Sequence, residues 1–134
     1  MSKEQIADLI VSVYNAPAEN FILKSFCKAG IPERMQDFRV EFVYQNKHYI
    51  LNYYQIKDLI HVWVRPEGAP PPSTHALSDE NIDGVVDHGT NGGTRLFAST
   101  SYYQNGSATQ GMEHQSYWQE IYNEALAGLR ATIN

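Results

Sequence analysis

At Phe38 the spacing of apolar residues along this chain changes from about 3.6 to about 2, and the shorter period holds as far as Arg65. Such alternation, in a stretch dominated by β-branched and aromatic residues, commits the middle of the chain to strands that bury one face. It predicts a three-stranded antiparallel meander, with strands over about 38–45, 48–56 and 59–65 and two-residue turns at Asn46-Lys47 and Lys57-Asp58. Because side chains alternate across a strand, the register sorts the residues into two faces. Val40, Phe42, Tyr44, Tyr49, Leu51, Tyr53, Ile60, Val62 and Val64 share the face expected to pack under helices. The opposite face is mixed: Glu41, Asn52 and Trp63 fall in one cross-strand row, Arg39, Tyr54 and His61 in the next, and Val43, Ile50 and Arg65 lie beyond.

Helical signals flank the meander. Ser2 followed three residues later by Gln5 fits a capping box, and Ile6, Leu9, Ile10, Val13 and Tyr14 then recur on one helical stripe. Pro17 ends that run and suits the first turn of a second helix, which would carry Phe21, Ile22, Phe26 and Ala29 and stop near Gly30. The pair reads as an N-terminal helical hairpin. Pro66 closes the meander, and a Pro-rich connector over about 66–77 succeeds it. Ser78 then reads as an N-cap, with Asp79 and Glu80 in the first turn of a short helix reaching about Val86. Beyond Gly89, Gly92 and Gly93, residues 94–100 read as a strand of undetermined orientation, and 101–111 as a polar loop or hairpin. Trp118, Ile121, Tyr122, Ala125, Leu126 and Leu129 mark a long C-terminal helix.

The resulting expectation is an α+β fold in a single compact domain over residues 1–134. It has a helical hairpin, a three-stranded meander, a short helix, one or two further strands, and a long C-terminal helix packed on the sheet. In size, acidic charge and this helix–strands–helix–strands–helix order the chain resembles small acidic secretion chaperones, a likeness of layout carried by no motif.

Composition narrows what such a domain does. Ten Lys and Arg against fifteen Asp and Glu give a net charge of −5, the wrong sign for a protein that grips nucleic acid through its phosphates. There is no membrane-length apolar run, and the N-terminus lacks a signal peptide's basic start and apolar stretch, so a cytoplasmic location is expected. The lone Cys27 excludes an intramolecular disulfide and a Cys-rich metal site.

The chemistry-bearing motifs are incomplete. Residues 79–84 match the start of an EF-hand loop, but the twelfth position, where a bidentate Glu belongs, is Thr90, so a capped helix start is the better reading. Residues 89–93 have the glycines of an anion nest without the Lys or following helix of a phosphate loop, and read as a turn. The five histidines show no ligand spacing, and no serine sits in a nucleophile elbow. No catalytic residue, metal ligand or cofactor is therefore assigned.

What stands out is the outer sheet face of Arg39, Glu41, Asn52, Tyr54, His61, Trp63 and Arg65, because Trp and Arg among Tyr, Asn and His is the composition of interface hot spots. The function expected is a non-enzymatic protein-binding module, such as a chaperone for a secreted protein or a toxin-neutralising immunity protein, with another protein as partner and a homodimer compatible. The alternative is a small enzyme or ligand binder with a pocket between helices and sheet, using His61 with Tyr54 or Glu41 for acid–base work.

Overall fold

The computed structural model describes residues 1–26, 37–66, 75–91, 94–98 and 115–134. Helix α1, Lys3–Asn15, opens with the reciprocal capping box: Gln5 N–H donates to Ser2 Oγ at 3.2 Å and Ser2 N–H to Gln5 Oε1 at 2.8 Å. Pro17 ends it, because the residue before a proline is driven to extended angles, and Ala16 sits at ψ 144°.

Over the described residues 18–26 the expected second helix does not form, so this part of the chain is not the second arm of a helical hairpin. A single 3₁₀ turn, Ala18–Asn20, leads instead into strand β1, Leu23–Phe26, antiparallel to the next strand. The physical reason lies in Lys24. Its Nζ donates to the carbonyls of Val13 and Ala16, each at 2.6 Å, and so caps the orphan C-terminus of α1, where the helix itself supplies no basic residue. Continuing a helix through this segment would forgo that cap and four backbone pairings to the sheet. The expected stop at Gly30 lies outside the described residues.

The meander forms strands β2 (Phe38–Tyr44), β3 (Lys47–Tyr54) and β4 (Leu59–Pro66). Both turns differ from expectation. The first is Gln45-Asn46, with φ 50° and 64°, the doubly left-handed geometry that a two-residue hairpin needs and that Asn tolerates better than Lys47 would. The second is a four-residue loop, Gln55 to Asp58, closed by Asp58 N–H donating to Gln55 O at 3.1 Å. Each change slides the pairing by two residues. A slip of two preserves the faces, so Val40, Phe42, Leu51, Val62 and Val64 are buried together and Arg39, Glu41 and Asn52 lie opposite.

Residues 78–86 are likewise not a helix. Strand β5, His75–Glu80, pairs antiparallel with β4, and the backbone then turns through left-handed residues Asn81, Ile82 and Gly84, a geometry no α-helix admits. Gly84, at φ 89°, has no alternative: a Cβ there would lie 2.2 Å from the Met1 carbonyl oxygen. The Asp79 carboxylate organises the turn, accepting from Gly84 N–H at 2.9 Å and Asp83 N–H at 3.2 Å. Strands β6 (His88–Asn91) and β7 (Thr94–Ala98) complete the sheet, which settles the orientation of the last strand as antiparallel.

The architecture is thus one seven-stranded antiparallel sheet in sequential order, β1 to β7, with α1 and the C-terminal helix α2, Gln115–Ile133, on one face. The chain is α+β with its long last helix packed on the sheet, and among the described residues the layout runs helix, seven strands, helix rather than alternating as in the secretion-chaperone likeness. Ile6, Leu9 and Val13 from α1 and Trp118, Tyr122, Ala125, Leu126 and Leu129 from α2 close the core over the inward strand residues. Among the described residues no helix is long and apolar enough to cross a membrane. Most of the proline-rich connector and all of 101–111 lie outside the described residues.

Candidate functional site: the sheet face opposite the helices

All seven residues singled out from the sequence stand on strands β2, β3 and β4 and point away from the helices. Their rows are rearranged by the two-residue slips. Arg39, Asn52 and His61 form one row, Glu41, Ile50 and Trp63 the next, and Val43, His48 and Arg65 a third; Tyr54 pairs with Leu59 at the end of the ladder. The row of Asn52 and His61 extends onto β5 and β6 through Ser78 and His88. Sequence reasoning misses these two because Ser78-Asp79-Glu80 imitates a helix start, no period-2 alternation marks 75–80, and the glycines of 89–93 imitate a turn where strand β6 runs.

The centre of this face is polar yet covered. Asn52 is 6% and Ser78 5% exposed, while Trp63 in the adjacent row is 46% exposed. Trp63 is held in place by its neighbour: the indole N–H donates to His61 Nδ1 at 2.6 Å, with the rings edge to face at 5.7 Å. That bond fixes the neutral imidazole with its proton on Nε2. Burial, with a smaller contribution from nearby His88, pushes the His61 pKa down to about 4.

Around the tryptophan the charges are partly neutralised. Arg39 Nη2 lies 3.4 Å from Glu41 Oε1, and His48 Nε2 approaches the same oxygen at 3.9 Å. Arg65 forms no ion pair among the described residues. Tyr54 sits under the Lys57 ammonium, 5.5 Å from ring centre, and burial raises its hydroxyl pKa against the opposing pull of Arg39.

This geometry bears directly on acid–base chemistry. The alternative reading required His61 with Tyr54 or Glu41 in a pocket between helices and sheet, and all three stand on the other side of the sheet. Tyr54 is not opposite His61 either, whose ladder partners are Asn52 and Ser78. A histidine whose Nδ1 already accepts from Trp63 and whose pKa is about 4 is neutral at pH 7 and a weak base. NMR titration of the ring should find His61 as the Nε2–H tautomer with a midpoint near 4; a midpoint near the ordinary value of about 6.5 would show that the ring is neither buried nor held by Trp63.

One acidic cluster is present on the helical side. Carboxylate oxygens of Asp79, Asp83 and Asp87 come within 4.8 Å of one another. Their proximity comes from turn-making: Asp79 accepts from Asp83 N–H, Gly84 N–H and Tyr122 Oη, and Asp87 accepts from Glu80 N–H at 2.6 Å. The EF-hand resemblance of this stretch is therefore the signature of a carboxylate-capped turn at a strand end, where a capped helix start was expected.

Searches with this chain against protein-family models, against curated proteins and against solved structures match nothing.

Proposed function

We propose that this protein is a non-enzymatic protein-binding module, of the kind represented by a small acidic chaperone for a secreted protein or a toxin-neutralising immunity protein, and that its working surface is the sheet face opposite the helices. The single observation that supports this most is Trp63, rigidly held through its N–H yet 46% exposed in the middle strand of the sheet. Because His61 already satisfies the indole N–H, the ring can offer apolar contact area without a further desolvation cost at nitrogen. Arg39, Glu41 and Arg65 surround it with groups able to form directional bonds to a partner. The single cysteine fits a reducing compartment such as the cytoplasm.

The test is co-purification from the source cells with wild-type protein and with Trp63→Ala/Arg65→Ala. Truncating a central aromatic anchor costs about 2 kcal/mol or more, on the order of thirtyfold in affinity, so the variant should lose its partner. Its circular dichroism should be unchanged, since neither side chain belongs to the core. Capture of the same proteins by the variant would remove this face from consideration.

A further inference from the structure

Helix α2 meets the sheet at the end where β3 and β5 begin and β4 stops, and a cavity of about 240 Å³ lies between them. The helix contributes Tyr117, Glu120, Ile121 and Glu124, whose spacing of three and four residues sets them on one helical face. From the sheet come Lys47, Val64 and His75, all on inward rows, and because the cavity sits at the strand ends, Arg65, the last outward residue of β4, borders it too. Its volume falls below the ~300–1,000 Å³ of sites for drug-sized molecules, so it suits a smaller ligand.

The surroundings of the cavity are held by bonds of their own. Lys47 Nζ donates to Glu124 Oε2 at 3.0 Å, which ties β3 to α2. Tyr117 Oη and His75 Nε2 share a hydrogen bond at 3.1 Å, and the fully buried Trp118 packs against both rings, at 5.2 and 5.4 Å. The charges are used unequally. Two cations and two carboxylates border the cavity, and one of each is joined in Lys47–Glu124, while Arg65 and Glu120 have no ion pair among the described residues.

We propose that this cavity binds a small zwitterion of the amino-acid class, with its carboxylate on the Arg65 guanidinium, its ammonium on the Glu120 carboxylate and its carbon skeleton over Val64 and Ile121. The planar guanidinium is matched to a carboxylate, which it can grip through two parallel hydrogen bonds. A ligand of single charge fits poorly for a reason the lining itself supplies. A lone carboxylate meets Arg65 but also faces Glu120 and Glu124, and a lone amine meets Glu120 but also faces Lys47 and Arg65. Only a molecule carrying both charges satisfies the two unpaired groups and leaves the Lys47–Glu124 pair intact. Arg65 is shared with the surface around Trp63, whereas Glu120, Tyr117 and Ile121 belong to this site alone.

Titration of the full chain followed by amide NMR tests this. The probes are leucine and γ-aminobutyrate, zwitterions with different charge spacing, and butyrate and butylamine, which carry one charge each. At least one zwitterion should shift the amides of residues 64–65, 75 and 117–124 in a saturable way, and the single-charge probes should bind about tenfold more weakly or worse. Glu120→Gln, at an exposed position outside the core, should keep the wild-type spectrum elsewhere and lose about tenfold or more in affinity, as should Arg65→Gln. The absence of saturable shifts with either zwitterion overturns the proposal. So does butyrate or butylamine binding as tightly as the zwitterion, or a Glu120→Gln chain that binds like the wild type.

Discussion

Replacing Trp118 by alanine is expected to lower the unfolding free energy by about 3–5 kcal/mol, the range for truncating a large buried aromatic. Trp118 is fully buried at the start of α2, edge to face with Tyr117 at 5.2 Å and tilted against His75 at 5.4 Å. Its ring lies directly on the backbone of Gly89 in β6, so closely that a Cβ at Gly89 would stand 2.5 Å from the ring. Gly89→Ala should accordingly cost about 1–3 kcal/mol by overpacking. The two changes should not add, because the new methyl occupies space the missing ring has vacated, and the coupling should fall near 0.5–3 kcal/mol. Urea denaturation of the four proteins in this cycle measures it. A loss below ~1 kcal/mol for Trp118→Ala, or strict additivity with Gly89→Ala, would show that this contact does not dock the last helix.

The second large effect is expected at Asp79 and is read through pH. This carboxylate is fully buried, and burial pushes its pKa up to about 7 despite the hydrogen bonds it accepts from Tyr122 and Gly84. The folded state therefore holds the proton more tightly than the unfolded chain, where the group titrates near 3.8. The stability this contributes is fully present below that lower value and is lost as pH rises through about 7. Burial raises Asp87 too, with the same sign, whereas His61, lowered to about 4, contributes stability that is lost as pH falls. The difference between wild type and Asp79→Asn removes these other groups. The wild type should lose on the order of 2–4 kcal/mol relative to Asp79→Asn between pH 4 and pH 8. Parallel stability curves for the two proteins would mean that the Asp79 carboxyl titrates normally and that Tyr122 does not rely on it.

How much of the fold is legible in the sequence depends on which forces decide each element. The burial pattern of β2, β3 and β4 comes from period-2 alternation alone, which is why the two faces are correct although the pairing across both turns is shifted by two residues. The displacement arises in the turns themselves: Gln45 at φ 50° and the closure of Asp58 on Gln55 are local choices that composition does not announce. Three strands are disguised in the sequence: β6 by glycines that read as a turn, and β1 and β5 by a different, shared cause. Residues 23–26 and 78–80 fall in stretches that read as helices, and in each the competing structure draws on partners far away in the chain. Lys24 reaches the carbonyls of Val13 and Ala16, and Asp79 reaches Tyr122 on α2. The candidate face is legible in its membership for the same reason the strands are, but the bond that orients Trp63 depends on His61 being two residues away on the same strand face. That proximity is implicit in the alternation, and its consequence for the His61 proton is not.

The most direct test of the proposed working surface is site-specific photo-crosslinking in the source cells. Benzoylphenylalanine is placed at Val43, exposed on the same sheet face as Trp63, and separately at Val85, exposed in the turn that contacts α2 through Val86 and Gln119. A discrete adduct should form from position 43, disappear when Trp63→Ala is added, and be absent from position 85. The same adduct from position 85, or one from position 43 that survives Trp63→Ala, would contradict a partner surface centred on this tryptophan.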